Sequence, residues 1–308
     1  MNNKRSLTTI KIFYLTFQCF LFGGFSFSQN TTNQEKAYLS LNEVQHPRAL
    51  LVLFDGGAGI ASRIPKECSI PDSAMNYRVK TIGIDQSQFL INEDTYQQIR
   101  AAILQAMKDY AIHDKLYMGG FSLGAYTTFR FTEMAVEKGD SSVIPKAIFG
   151  VDPPLDHLAL NDYCHRELER SCPLEEANKL GKGEARWILD YYAQNFGDAE
   201  KDRANYIQHS CFTYGHETGG NARHLHQIPV QVIHEIDVNW LIQERCRDLS
   251  DANVTTGSRF INYLYHHGNP NAVITITQDK GYRSDGRKHP HSWSIAEPIP
   301  TLEWLLKF

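Results

Sequence analysis

The sequence lacks the patterns that mark metal-dependent and thiol-dependent sites. Its six cysteines form no CxxC pair and its thirteen histidines form no HExxH motif, so neither a zinc site nor redox chemistry is favoured. The paired histidines at 224 and 226 keep a metal site as an alternative, but we expect no metal and no cofactor. The chain also lacks a large charge imbalance, since its formal net charge is −4. A mildly acidic chain gives no reason to expect nucleic acid or an anionic membrane as a partner.

The first 28 residues have the pattern of a secretory signal peptide. Three basic residues precede or begin an apolar segment, and residues 12–25 are dominated by large apolar side chains. Ser26 and Ser28 provide small residues before a predicted cleavage that leaves Gln29 at the new terminus. We therefore expect a secreted or periplasmic protein with no membrane span after cleavage. An uncleaved membrane anchor is the alternative, although the apolar run is short for a span.

Five cysteines follow the predicted cleavage site. Secretion permits disulfides, and Cys164 and Cys172 are close enough in sequence to pair across a turn. The odd number leaves at least one thiol unpaired within a monomer.

A glycine-flanked serine is the most informative motif in the chain. Gly-Phe-Ser-Leu-Gly at 120–124 follows a short apolar run, 116–118, and precedes a segment with helical spacing, 125–135. A strand that turns sharply into a helix at G-x-S-x-G holds the serine oxygen clear of the backbone. The amides at the start of the helix then point towards the same place. The motif thus predicts a nucleophilic Ser122.

An aspartate and a histidine follow this serine in the order Ser, Asp, His, each just after a strand-like run. A glycine-rich turn follows an earlier strand. On these residues the chain resembles the α/β-hydrolase superfamily, from about Leu50 onward. The resemblance implies an α/β fold with a mostly parallel central sheet, helices on both faces, and a serine that attacks an acyl carbonyl without a cofactor.

Apolar runs of strand length alternate with helical segments along the chain, which favours a mostly parallel sheet. The predicted strands are 37–41 at an edge, then 49–54, 79–84, 116–118, 147–151, 230–233 and 273–277. Helices are predicted from Asn92 or Asp94 to about Ile112 and over 301–308.

The segment 155–226 departs from this alternation. It contains helix-like, charged stretches, Leu174 to Leu180 and Glu184 to Asn195, and no clear strand run. The resemblance implies a helical cap inserted into a core formed by 29–154 and 227–308. A packed helical excursion without a role at the site is the alternative.

The base that activates Ser122 is predicted to be a histidine on the loop after the last strand. His291 is favoured because His-Ser-Trp leads directly towards the final helix, and His289 is its rival. The resemblance places an acid after the strand 230–233, which makes Asp237 the predicted orienting residue. Glu235 and Asp152 remain alternatives, because the familiar His-Gly pattern is changed by Glu235 and some members place the acid after the preceding strand.

Two backbone amides are needed to stabilise an oxyanion. Leu123 follows the nucleophile and supplies one. Alignment of Asp55-Gly56 with the familiar His-Gly of the superfamily makes Gly57 the second, with Ala58 next in line. Asp55 is expected to point away from the oxyanion, because its charge would disfavour one.

Four basic residues border the predicted histidine: Lys280, Arg283, Arg287 and Lys288. They form either a solvated loop or a site that attracts an anionic substrate. The sequence as a whole predicts a secreted serine hydrolase that cleaves a small-molecule carboxylic ester. A peptidase or amidase of the same fold, and an inactive hydrolase fold that binds a ligand, are the alternatives.

Overall fold

The computed structural model describes residues 36–86 and 89–308. The predicted signal peptide, 1–28, lies outside the described residues and stays a prediction. Within the described part, no helix combines the length and the apolar character that crossing a membrane requires.

In the described residues, seven strands form one central sheet, as the sequence predicted. They are β1 Leu39–Ser40, β2 Ala49–Phe54, β3 Val79–Gly83, β4 Leu116–Phe121, β5 Ala147–Val151, β6 Val230–Glu235 and β7 Ala272–Thr277. Their order across the sheet is β1-β3-β2-β4-β5-β6-β7. Only the short edge strand β1 is antiparallel to its neighbour, and all the other pairs are parallel. The predicted mostly parallel sheet is confirmed.

Helices cover both faces of this sheet. They are α1 Ile64–Glu67, α2 Ile70–Met75, α3 Glu93–Asp109, α4 Leu123–Glu137, α5 His157–Glu169, α6 Glu175–Asn195, α7 Arg203–His209, α8 Val238–Arg245, α9 Asn253–His266 and α10 Pro298–Leu305. Successive side chains of a strand point to opposite faces. Leu50 and Val52 therefore pack with α3, α4 and α9 on one face, while Leu51 and Leu53 pack with α2 and α10 on the other.

The segment between β5 and β6 contains α5, α6 and α7. The structure joins the two predicted stretches, 174–180 and 184–195, into the single helix α6. Gly181 lies within this helix, and its missing side chain leaves room for the carboxylate of Glu167 on α5. The role of this segment as a cap over the active site stays a prediction.

A disulfide fastens this helical segment to the region after β6. It joins Cys172, between α5 and α6, to Cys246 at the end of α8. The suggested pairing of Cys164 with Cys172 is wrong, because Cys164 is a free cysteine buried on α5. An ion pair also joins these two regions, since Arg247 Nη2, just after α8, lies 2.9 Å from Glu167 Oε1 on α5.

Parallel pairing brings the carboxyl ends of the central strands to one edge of the sheet, where ligands bind in open α/β sheets. Phe121 at the end of β4 pairs in register with Val151 at the end of β5. Val151 pairs in turn with Ile233 on β6. The residues that follow these three positions are Ser122, Asp152 and His234, so chain topology alone gathers them at one place.

Candidate active site

Ser122 occupies a strained turn between β4 and α4. Its backbone has φ 54° and ψ −121°, a region that costs a non-glycine residue free energy and that is found at functional sites. A side chain at position 120 would collide with the backbone of Gly124, and one at position 124 would collide with the carbonyls of Phe54 and Asp55. Both glycines of the motif are therefore required by close packing of the backbone.

The serine lies in a hydrogen-bonded chain of three side chains. Ser122 Oγ is 2.9 Å from His291 Nε2, and His291 Nδ1 is 2.5 Å from Asp152 Oδ2. An ionised carboxylate only accepts hydrogen bonds, so Nδ1 carries the proton and donates it to Asp152. Nε2 is then left to accept the hydrogen bond from the serine hydroxyl. This is the geometry of a nucleophile, a base and an orienting acid.

The structure corrects the predicted acid, because Asp237 does not lie against His291. Strand β6 continues to Glu235, so Asp237 follows it at the start of α8. There its carboxylate accepts a hydrogen bond of 2.9 Å from the amide of Trp240 and pairs with Lys288 Nζ at 2.6 Å. The hydrogen bond from Lys288 lowers the pKa of Asp237. Asp152, one of the two alternatives, occupies the position beside the histidine.

Glu235, the other alternative, holds the loop that carries the histidine. Its carboxylate accepts hydrogen bonds from the amides of Lys280 at 2.8 Å and Gly281 at 2.9 Å. It also accepts one of 3.2 Å from the hydroxyl of Thr277. Glu235 thus fixes the course of the chain between β7 and His291.

His289, the rival base, points elsewhere. Its Nε2 lies 3.0 Å from Arg245 Nη2, and its ring packs on Trp240 with the centroids 4.8 Å apart. Burial, and after it the nearby His291, lower the pKa of His289 to about 3. His289 is therefore neutral near pH 7 and is not hydrogen-bonded to the serine.

A second histidine engages the acid and was not predicted as a site residue. His234 Nδ1 lies 2.6 Å from Asp152 Oδ1, so the two carboxylate oxygens each face one imidazole. Burial alone would raise the pKa of Asp152, but the charges and hydrogen bonds of His291 and His234 outweigh it and hold the pKa below its usual value. Asp152 is thus ionised at neutral pH. The signal for His234 was its position at the end of the strand next to β5.

The residues predicted for the oxyanion site lie next to the serine or in a turn that touches it. Leu123 is the first residue of the fifteen-residue helix α4 and directly follows Ser122. In the turn after β2, a Cβ on Gly56 would lie 3.0 Å from Ser122 Cβ, so this turn touches the serine. Gly57 is the next residue, and its φ of +60° suits glycine. The roles of Leu123 and Gly57 as oxyanion donors stay predictions.

Asp55 connects this turn to the loop that carries the histidine. Its Oδ1 accepts a hydrogen bond of 2.9 Å from the indole of Trp293, and its Oδ2 lies 3.7 Å from Arg63 Nε. Burial raises the pKa of Asp55, and the bond from Trp293 opposes that shift. The carboxylate is therefore engaged by Trp293, two residues after His291.

Within 36–86 and 89–308, no group of three or more histidine, cysteine, aspartate or glutamate side chains is arranged to hold a metal ion.

The sequence and the structure were compared with those of known proteins. No protein-family model matches the sequence, and no curated protein matches it. Among solved structures, an esterase from Rhizomucor miehei has a TM-score of 0.53 and 15% identity, over 85% of this chain and 76% of its own. Carboxyl esterase 2 from Tuber melanosporum has a TM-score of 0.49 and 12% identity, over 76% of this chain and 69% of its own.

An acylaminoacyl peptidase from Pyrococcus horikoshii also has a TM-score of 0.49, with 13% identity over 84% of this chain but only 35% of its own. Identities this low establish the fold alone. The strand order, the serine at the turn from β4 to α4 and the similarity to the Rhizomucor esterase show that this chain has the α/β-hydrolase fold.

Proposed function

We propose that the protein is a serine hydrolase that cleaves carboxylic esters through an acyl-enzyme intermediate on Ser122. The observation that carries the proposal is the hydrogen-bonded chain from Ser122 through His291 to Asp152, with distances of 2.9 and 2.5 Å. A neutral serine hydroxyl is a poor nucleophile and needs a base within hydrogen-bond reach. His291 meets that requirement in the described structure.

The reaction follows from the protonation states of these groups. Ser122 Oγ attacks the acyl carbon while His291 Nε2 takes its proton, and Asp152 stabilises the imidazolium that forms. His291 then gives this proton to the departing alkoxide, and the bond between the acyl carbon and the ester oxygen breaks. Water attacks the acyl-enzyme with His291 again as the base, which releases the acid and restores Ser122.

Negative charge develops on the carbonyl oxygen in both steps. The amide of Leu123, at the start of α4, and that of Gly57, in the turn beside the serine, supply the donors. The helix dipole adds a partial positive charge at the same place. An ester is the favoured substrate because an alkoxide leaving group demands least of this arrangement.

The proposal includes the location and the partner of the enzyme. A segment such as 1–28 would direct it to the periplasm or outside the cell, where it would meet a small-molecule ester.

Hydrolysis of p-nitrophenyl butyrate by the wild type, by Ser122→Ala and by the surface control Ser141→Ala tests the proposal. We expect Ser122→Ala to lose about 10³-fold or more in kcat, and Ser141→Ala to match the wild type. A fluorophosphonate should label the wild type at Ser122. Faster turnover of p-nitroanilides than of esters would indicate an amidase, and the absence of both labelling and turnover would indicate a binding protein and overturn the proposal.

A further inference from the structure

A short hairpin precedes His291 and carries four cations. It begins after β7, and the amide of His289 closes it with a bond of 2.8 Å to the carbonyl of Gly281. Glu235 fixes its base through the amides of Lys280 and Gly281. Glu67 fixes its tip through the hydroxyl and amide of Ser284, at 2.6 and 3.1 Å. The hairpin is thus fixed both at its base and at its tip.

Three of the four cations are neutralised by carboxylates. Lys280 Nζ lies 3.1 Å from Glu297, and Arg287 Nε lies 2.7 Å from Asp285. Lys288 Nζ lies 2.6 Å from Asp237 and 2.8 Å from Asp279. Such pairs between solvent-accessible groups account for their charges without a ligand.

Arg283 is the exception. Its guanidinium has no carboxylate within 4.0 Å among the described residues, although its side chain is half-buried. Of the acids that interact with it electrostatically, Glu67 is hydrogen-bonded to Ser284, and Asp55 is hydrogen-bonded to Trp293 and lies 3.7 Å from Arg63. Burial lowers the pKa of Arg283, and those two acids only partly oppose the shift. A cation is therefore kept partly desolvated without a carboxylate partner in the described part of the chain.

This cation lies beside the reacting groups. The carbon at the centre of the Arg283 guanidinium is 5.5 Å from the ring centroid of Phe121, and Phe121 directly precedes the nucleophile. The same ring lies 4.6 Å from the imidazole of His291. The ring also adjoins the turn at Gly56, where a Cβ would lie 2.8 Å from Phe121 Cδ1. Arg283 therefore contacts an aromatic ring that also adjoins His291 and the turn at Gly56.

A second unneutralised arginine flanks the histidine loop from the direction of α8. Arg245 Nη2 lies 3.0 Å from His289 Nε2, and its guanidinium stacks over Trp240 at 5.1 Å. Burial lowers the pKa of Arg245, and no ion pair with an acid is found for it in the part of the chain that the structure describes. Two arginines without a carboxylate partner in the described residues thus flank the loop that carries His291.

We propose that the ester cleaved at Ser122 carries a carboxylate, and that Arg283 binds it. A guanidinium offers two parallel N–H donors that match a carboxylate, and a partly desolvated one gains most from the pairing. The substrates are then half-esters of dicarboxylic acids or esters of similar charge. This inference rests on the proposed hydrolase function and specifies its substrate class.

The test compares two esters that differ only in the distal charge, mono-p-nitrophenyl adipate and p-nitrophenyl hexanoate, with spontaneous hydrolysis subtracted. We expect the wild type to prefer the adipate in kcat/KM. In Arg283→Gln the ratio of the two kcat/KM values should fall about tenfold, mostly through a higher KM for the adipate. Arg287→Gln, in the same hairpin, should keep the wild-type ratio, and Arg283→Lys should retain part of it.

Because the readout is a ratio within one variant, partial loss of folded enzyme does not affect it. A wild type that hydrolyses both esters equally, or an Arg283→Gln variant that keeps the preference, would overturn this inference and leave the serine hydrolase intact. A wild type that hydrolyses neither ester and is not labelled by fluorophosphonate would instead overturn the proposed function.

Discussion

His234 on β6 and His291 on the loop after β7 each lie against one oxygen of Asp152. His234 Nδ1 lies 2.6 Å from Oδ1 and His291 Nδ1 lies 2.5 Å from Oδ2. The carboxylate follows β5, the strand next to the one that carries Ser122. The aspartate is therefore built into the sheet, while the histidine that it orients comes from a distant loop.

Substitution of each aspartate in turn should show whether Asp152 or Asp237 acts as the acid. Asp152→Asn removes the charge that stabilises the imidazolium and favours the wrong tautomer of His291, so kcat should fall about 10⁴-fold. Asp237→Asn is the matched control, because it changes only a helix cap and an ion pair with Lys288. Its kcat should stay within about threefold of the wild type. Steady-state kinetics on p-nitrophenyl butyrate provide the measurement, and the reverse ranking would restore Asp237 as the acid.

Substitution of His234 should reveal a positioning role. His234→Ala removes one of the two donors to Asp152 and should lower kcat about tenfold or more, since a buried carboxylate loses a hydrogen bond. His234→Asn places an amide N–H near the position of Nδ1 and should recover most of the loss. KM should change little in either variant. Equal losses in both variants, or a change confined to KM, would contradict this role.

Acid should destabilise the packing of the helical segment through two buried histidines, His157 at the start of α5 and His209 at the end of α7. Burial lowers the pKa of His157 to about 3 and that of His209 to about 4, below the ordinary value of 6.5. The unfolded chain therefore binds more protons between about pH 4 and 6.5, so the free energy of unfolding falls as the pH drops through this window. Each histidine contributes a slope of about 1.4 kcal/mol per pH unit.

Urea unfolding at several pH values measures this slope. His157 donates from Nε2 to the carbonyl of Phe89 and accepts from the hydroxyl of Tyr192 at Nδ1, at 3.2 and 2.9 Å. Its replacement in His157→Gln should flatten the dependence, whereas the exposed control His113→Gln should preserve it. A slope that His157→Gln leaves unchanged would refute the assignment.

Removal of the disulfide should weaken the attachment of the helical segment. The bond between Cys172 and Cys246 closes a loop with a sequence separation of 74 residues. The double variant Cys172→Ser with Cys246→Ser should lose about 4 kcal/mol of unfolding free energy through greater chain entropy in the unfolded state. Thermal unfolding should show a lower Tm in the variant. Reductant should lower the Tm of the wild type and leave that of the variant unchanged, and an equal effect on both would argue against the disulfide.

Local patterns in the sequence were sufficient for the fold and for part of the site. The apolar runs predicted the parallel strands, because a strand that is buried on both faces has apolar side chains at successive positions. The motif at Ser122 marked its turn because its two glycines are packed against backbone. Both signals lie within short stretches of chain.

The acid and the disulfide depend on contacts between distant segments. Asp237 was predicted from its spacing after β6, but Asp152 takes the position because its strand pairs directly with β4. Cys172 bonds to Cys246 rather than to its neighbour Cys164, because the inner face of α5 buries Cys164. Such choices are made by tertiary packing and are not encoded in sequence spacing.

The attachment of the histidine loop to Glu235 has a consequence for mutagenesis. One carboxylate at the end of β6 fixes Lys280 and Gly281, and through them the hairpin that leads to Arg283 and His291. Loss of that carboxylate would displace His291, the proposed base, and Arg283, the proposed anion-binding residue, together. An alanine scan would then score Glu235 as if it belonged to the catalytic chemistry, although its hydrogen bonds go to Thr277, Lys280 and Gly281. A severe loss of activity in this variant would then result from displacement of the loop and not from loss of a proton-transfer group.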